Sequence, residues 1–110
     1  MIKIEITKKN GNDYFYSLRF LGHCGFAEKG SDIVCAGVSA LVQTAGVLFS
    51  ACHASQIKQT DDGNCFEIKI ENVTDNDKSK VANYGDFLLT GLFLIEKHYP
   101  DYVKIIIMEE

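Results

Sequence analysis

Basic residues are in the minority in this chain. Its 110 residues include 11 Lys and Arg against 15 Asp and Glu, a formal net charge of −4. A protein that grips nucleic-acid backbones by charge shows the opposite balance, so direct nucleic-acid binding is not expected and a basic partner fits better. The opening MIKIEITKKNG lacks the unbroken apolar core of a secretory leader, because Ile alternates with polar residues. The four cysteines, Cys24, Cys35, Cys52 and Cys65, are therefore expected to stay reduced in the cytoplasm and not to build a disulfide scaffold. No linker, repeat or low-complexity segment interrupts the sequence, which predicts one domain over residues 1–110. An apolar content of 46 % is enough for that domain to bury a core.

Charge is missing altogether from Ile33 to Cys52, a stretch long enough to cross a bilayer. Against a membrane span stand the scattered polar residues Ser39, Gln43, Thr44 and Ser50, the interruptions at Gly37 and Gly46, and the lack of a flanking Lys/Arg cluster. The expectation is no membrane, but a helix covered by protein on several sides.

Among the features present, Ile2, Ile4 and Ile6 alternate with Lys3, Glu5 and Thr7. After Asn10-Gly11, residues 13–21 alternate again through Tyr14, Tyr16, Leu18 and Phe20, which predicts a hairpin. Asp32 stands where an N-cap would, so helix 1 is expected from Ile33. Residues 56–60 and 65–71 flank Asp62-Gly63 as a second hairpin, with Phe66, Ile68 and Ile70 alternating against charged residues. Val81, Tyr84, Leu88, Leu92, Ile95 and Tyr99 recur every three or four residues and place helix 2 over about 79–98, before Pro100. Val103 to Met108 is an apolar run expected as a last strand buried on both faces. The resulting fold class is α+β, a single domain with a five-stranded sheet and two helices in the order ββαββαβ.

The segment GHCGFAEKGSDIVCAGVSAL, residues 22–41, concentrates the chemistry. With Asp32 as N-cap, Cys35 is the third residue of helix 1, where unpaired amides and the helix dipole favour a negative charge and hence a thiolate nucleophile. An imidazole nearby would stabilise that thiolate and carry the proton to a leaving group. His53 lies about 27 Å along the same helix and is excluded, and His98 is placed only by the tertiary fold. His23 opens a short loop that returns to Cys35.

Zinc is disfavoured, because Cys52 lies about 25 Å from Cys35 along the helix and no CxxC pair occurs. No metal or other cofactor is expected. Asp32 has two available roles, capping the helix or orienting His23, and capping ranks first. Ser39 lies one turn deeper on the Cys35 face, where bonding to the preceding turn's carbonyl is a more ordinary role than touching substrate. Gly22, Gly25 and Gly30 serve tight turns or give a lid its freedom, and amides at the helix start could hold an oxyanion. The bland reading is that Cys35 is a small buried hydrophobe.

The residues Gly22-His23, Gly25, Gly30, Asp32-Ile33-Val34-Cys35-Ala36 and Val38-Ser39-Ala40-Leu41 resemble the signature of the bacterial ribosomal-processing cysteine protease family, Prp. The stretch LTGLFLIEKHYPDYVKI is a second, weaker point of similarity. Phe26 and Gly37 depart from the tyrosine and alanine of the family pattern without removing a reacting group. The resemblance implies a cytoplasmic, homodimeric cysteine endopeptidase without cofactor, with Cys35 as nucleophile and His23 as general base. Asp32 and Ser39 match further motif positions. The implied substrate is the N-terminal extension of large-subunit ribosomal protein twenty-seven. Two other functions fit the residues: a non-enzymatic ribosome-assembly partner that binds a basic ribosomal protein, and a thiol redox sensor using Cys24 as resolving thiol.

Overall fold

The computed structural model describes residues 2–12, 14–22, 33–52, 55–59 and 65–110, with Ser55–Gln59 and Cys65 described in backbone alone. The period-2 pattern of the amino-terminal strand β1 (Ile2–Lys8) puts Ile2, Ile4 and Ile6 at 0 % exposure on one side and Lys3, Glu5 and Thr7 on the other. A turn follows in which Gly11 holds a φ of +88°, open to glycine at little cost, and the Asn12 N–H donates to the Lys9 carbonyl at 3.1 Å. Strand β2 (Phe15–Leu21) returns antiparallel, with Ile4 opposite Phe20 and Ile6 opposite Leu18. A register shift at Thr7/Lys8 accompanies the pairing of Lys8 with Phe15, whose ring is 1 % exposed in the core.

Strand β4 (Cys65–Ile70) lies antiparallel on the far side of β2, with Leu18 opposite Ile68. Strand β5 (Val103–Glu109) runs parallel to β1, with Ile4 opposite Ile105. These four strands carry the described side chains that pack. A further backbone segment, β3 (Ser55–Gln59), pairs antiparallel with the outer edge of β4 and extends the order to β3-β4-β2-β1-β5. The expected five-stranded sheet in the order ββαββαβ is corrected accordingly: the packed sheet is four-stranded, and with its two helices it reads ββαβαβ. The reason lies in SQIKQ, whose single apolar residue, Ile57, gives this segment little to bury. The expected Asp62-Gly63 turn lies outside the described residues.

Both helices pack on the isoleucine face. Helix α1 (Ile33–Ala51) buries Val34, Val38, Val42, Ala45 and Phe49, a stripe with helical spacing. Helix α2 (Lys78–His98) buries Val81, Gly85, Leu88 and Leu92 in the same way. Phe49 meets Phe15 and Tyr84 edge-on, with ring centroids at 5.7 and 6.2 Å, which joins sheet and both helices.

The helices run antiparallel: Gly37 lies beside Ile95, Leu41 beside Gly91 and Phe49 beside Tyr84. A Cβ on Gly91 would stand 2.8 Å from Leu41 Cδ1, so the missing side chain is what lets Leu41 seat in the groove of α2.

Two further expectations need correction. Strand β5 is an edge strand, not one buried on both faces: Val103 is buried, but Ile107 and Met108 are 46 % and 41 % exposed. Its Val103 N–H donates to the Tyr99 carbonyl at 3.3 Å and its Ile105 N–H to the Glu96 carboxylate at 2.6 Å, which ties the end of α2 to the strand. Helix α1 is covered along one stripe and not on several sides. Ile33, Ala36, Ala40, Thr44 and Val47 on its outer side are exposed. Its length and apolarity meet the requirement of a membrane span, as the uncharged sequence does.

Candidate active site

Strand β2 lies inside the sheet, between β1 and β4, and its last residue is followed by Gly22 at a φ of +84°. A side chain is strained at that backbone angle, so Gly22 is where the chain can turn sharply out of the sheet. Helix α1 begins at Ile33, as the sequence predicts, which makes Cys35 its third residue. The first turn alternates strongly in burial: Ile33 is exposed, Val34 is 2 % exposed, and Cys35 is half-buried against the core. Burial of Val34 and the neighbouring Val38 fixes the rotation of the helix and thereby sets the thiol at the rim of the core.

No acidic residue stands in the first turn of α1 and no basic residue in its last. The helix's own side chains therefore leave its dipole uncompensated, and a negative charge near residues 33–36 is favoured by about 0.3–1 kcal/mol at the surface and more where water is excluded. This is the electrostatic setting a thiolate nucleophile uses.

The azimuth of Cys35 bears on His98, the histidine among the described residues. Gly37 and Leu41 face α2, and Cys35 is turned about 160° around the helix from Gly37 and about 120° from Leu41. His98 in the last turn of α2 thus lies across α1 from the thiol. Its Nδ1 stands 2.8 Å from the Leu94 carbonyl, and the ring is exposed. Of the residues picked out from the sequence, Gly22, Cys35 and Ser39 are described, whereas His23, Gly25, Gly30 and Asp32 lie outside the described residues, as do His53 and Cys24.

Ser39 is half-buried one turn below Cys35, and its Oγ accepts a hydrogen bond from Gln43 Nε2 at 2.7 Å. Gln43 is not among the sequence candidates. The i,i+4 spacing of a serine and a glutamine on one helix is the signal that could have found it.

Cys52 is a buried thiol at the end of α1, 8 % exposed, with a core role. Among the described residues no group of three or more His, Cys, Asp or Glu side chains could hold a metal ion. A cavity of about 410 Å³ lined by Asn12, Tyr14, Lys78 and Asn83 lies at the opposite end of the helix layer from Cys35. Another of about 390 Å³, lined by Phe93, Glu96, Lys97 and Lys104, lies between α2 and β5.

Comparison with known proteins gives a consistent result. Residues 1–104 match the model of the family described as cysteine protease Prp. The ribosomal processing cysteine protease Prp of Bacillus subtilis strain 168 is 29 % identical over 106 residues, covering 93 % of this chain and 95 % of that protein. The crystal structure of the essential ribosomal processing protease Prp from S. aureus, in complex with a covalently linked product peptide, superposes with a TM-score of 0.80. It is 27 % identical over 97 % of this chain and 99 % of that one. The same S. aureus protease in complex with a substrate peptide gives a TM-score of 0.76 at 25 % identity, with the same coverage.

Proposed function

The chain belongs to the Prp family of cysteine proteases and is a ribosomal-processing cysteine protease, and from that premise we propose that it removes the N-terminal extension of large-subunit ribosomal protein twenty-seven with a Cys35–His23 pair. The observation that carries the reading is the half-buried thiol at the third position of α1, in a helix end with no acidic side chain of its own. His23 takes the thiol proton. The thiolate adds to the scissile carbonyl, and the resulting oxyanion is held by amides of the first turn of α1. The imidazolium then protonates the leaving amine, and water releases the acyl group from Cys35. The S. aureus relative with a covalently linked product peptide supports a covalent step of this kind.

Asp32 caps α1 ahead of orienting His23, and Gly22 and its neighbours Gly25 and Gly30 let the loop bring His23 to the thiol. No metal or organic cofactor takes part. The enzyme acts in the cytoplasm as a homodimer, with residues 1–110 as one protease domain. Its net charge of −4 suits a basic ribosomal protein, since opposite charge raises the encounter rate.

The test is cleavage of a peptide that spans the extension and its junction. Cys35→Ser should retain the wild-type melting temperature and lose cleavage, and Cys24→Ala should retain both. Full cleavage by Cys35→Ser would refute the assignment.

A further inference from the structure

We infer that the second half of strand β5, from Ile105 to Glu109, is a docking edge on which an extended basic segment of the substrate adds as a further strand. This rests on the reading of a basic ribosomal substrate above and gives that substrate a second contact, away from the thiol. The ladder to β1 fixes which backbone groups of β5 point inward. The Ile2 N–H donates to the Tyr102 carbonyl, the Glu110 N–H to the Lys8 carbonyl and the Asn10 N–H to the Glu110 carbonyl. Residues 102 and 110 therefore turn their backbone toward β1, and the alternation of a parallel ladder gives 104, 106 and 108 the same direction. Residues 103, 105, 107 and 109 point their N–H and carbonyl groups outward, off the sheet.

Helix α2 closes only the first half of that edge. It crosses the sheet obliquely: a Cβ on Gly85 would lie 3.7 Å from the Phe15 ring of β2, whereas Glu96, three turns later, reaches β5. The Tyr99 carbonyl takes the Val103 N–H at 3.3 Å, and the Glu96 carboxylate takes the Ile105 N–H at 2.6 Å. Beyond that point no hydrogen bond among the described residues takes up the outward N–H groups of Ile107 and Glu109. The side chains there are bare as well, with Ile107 at 46 % and Met108 at 41 % exposure. An apolar strand edge is a template for strand addition, which proteins ordinarily guard. Here the guard stops at Glu96.

Charge selects the occupant. The outward row of Ile105, Ile107 and Glu109, with Glu96 bonded to it, carries carboxylates and no cation. Lys8 stands opposite Glu109 in the neighbouring strand, and Lys97 and Lys104 line the cavity beside the closed half. A strand paired about Ile107 places one side chain beside Glu96 and another beside Glu109, so lysine or arginine is favoured at both. A second copy paired antiparallel about Ile107 would instead bring its own Glu109 against the Glu96 carboxylate, which like charge opposes. The position suits the chain downstream of the scissile bond, which is the retained ribosomal protein. Leu21, just before Gly22, is level with Lys3 and Lys104. Glu109 lies five residues along and two strands across from it, about 20 Å away. About six extended residues span that distance.

The experiment is fluorescence anisotropy of the full chain with a labelled octapeptide of alternating valine and lysine, its valine–glutamate counterpart, and a valine–lysine peptide N-methylated at every amide. The unmodified lysine peptide should bind at least about ten-fold tighter than either of the others, because one has lost the charge attraction and the other its backbone donors. Ile107→Pro deletes an outward N–H that β1 does not use, so it should keep the wild-type melting temperature and weaken binding at least about five-fold. In cleavage, Ile107→Pro should raise KM only for a substrate whose retained side carries the valine–lysine segment beyond a flexible linker, with kcat and short-peptide cleavage unchanged. Absence of binding to the wild type, equal binding of the N-methylated peptide, or unaltered binding by a folded Ile107→Pro chain overturns the proposal. So does an Ile107→Pro chain whose sedimenting mass falls while its peptide binding holds, since a second copy then occupies the edge. If Ile107→Pro does not fold, the N-methylated peptide decides alone. Short-peptide cleavage is read separately: a chain that cleaves but binds no lysine peptide refutes this proposal alone, and one that binds the peptide but cleaves nothing refutes the protease reading alone.

Discussion

The two outward faces of this molecule differ in a way its core does not explain. On the sheet side, Glu5, Arg19 and Glu67 stand in one row across β1, β2 and β4, with Arg19 3.3 Å from Glu5 and 3.5 Å from Glu67. That is the surface a sheet shows to water. On the helix side, α1 presents Ile33, Ala40 and Val47 without one charge, and α2 adds Phe87 and Leu94. Both sides are equally well anchored inward, through Ile2, Ile4 and Ile6 on one part and Val34, Val38 and Phe49 on the other. Interior packing therefore sets which residues are buried, and it leaves the composition of each outward face free to differ.

Four substitutions probe this contrast, beginning with the largest effect. Cys35→Ser touches neither face and removes the reacting atom, so peptide cleavage should fall by about 10⁴-fold or more while thermal unfolding is unchanged. Phe49→Ala strikes the point where the two layers meet and should cost about 3–5 kcal/mol in urea unfolding, because the ring is fully buried and edge-on to Phe15 and Tyr84. Glu96→Ala leaves the Ile105 N–H without its partly buried carboxylate and should cost about 1.5–3 kcal/mol by the same measurement, loosening β5 first in hydrogen exchange. Arg19→Ala on the wet sheet face should change stability by no more than about 0.5–1 kcal/mol, with the difference vanishing in high salt. A large loss there would show that the sheet face is not simply solvated.

Much of this arrangement is legible in the residues themselves. The alternation of Ile2, Ile4 and Ile6 gives β1 and its buried side directly, and the helical spacing of Val81, Leu88 and Leu92 gives α2 within one residue of its observed start at Lys78. The place of Cys35 is legible for the same reason, since the apolar run begins at Ile33 and so does the helix. What sequence periodicity does not report is the neighbour on the far side of an element. An apolar run such as Val103 to Met108 looks the same in a central strand and in an edge strand, and only the sheet order separates them. The uncharged length of α1 likewise does not say whether its outer side is covered. The seating of Leu41 on Gly91, and the reach of Glu96 to Ile105, depend on the antiparallel crossing of elements far apart in sequence. Length and flanking turns make Ser55–Gln59 read as an equal strand, although its lone isoleucine gives it little to pack.

The proposed catalysis rests on Cys35 acting as a thiolate activated by His23. That pairing is tested most directly by the rate of Cys35 alkylation by iodoacetamide at neutral pH, followed by mass spectrometry that resolves all four cysteines, in the wild-type chain and in His23→Ala. Cys35 is expected to react fastest of the four and to slow by about ten-fold or more when the imidazole is removed. A Cys35 rate that is the same in both proteins would contradict the pairing.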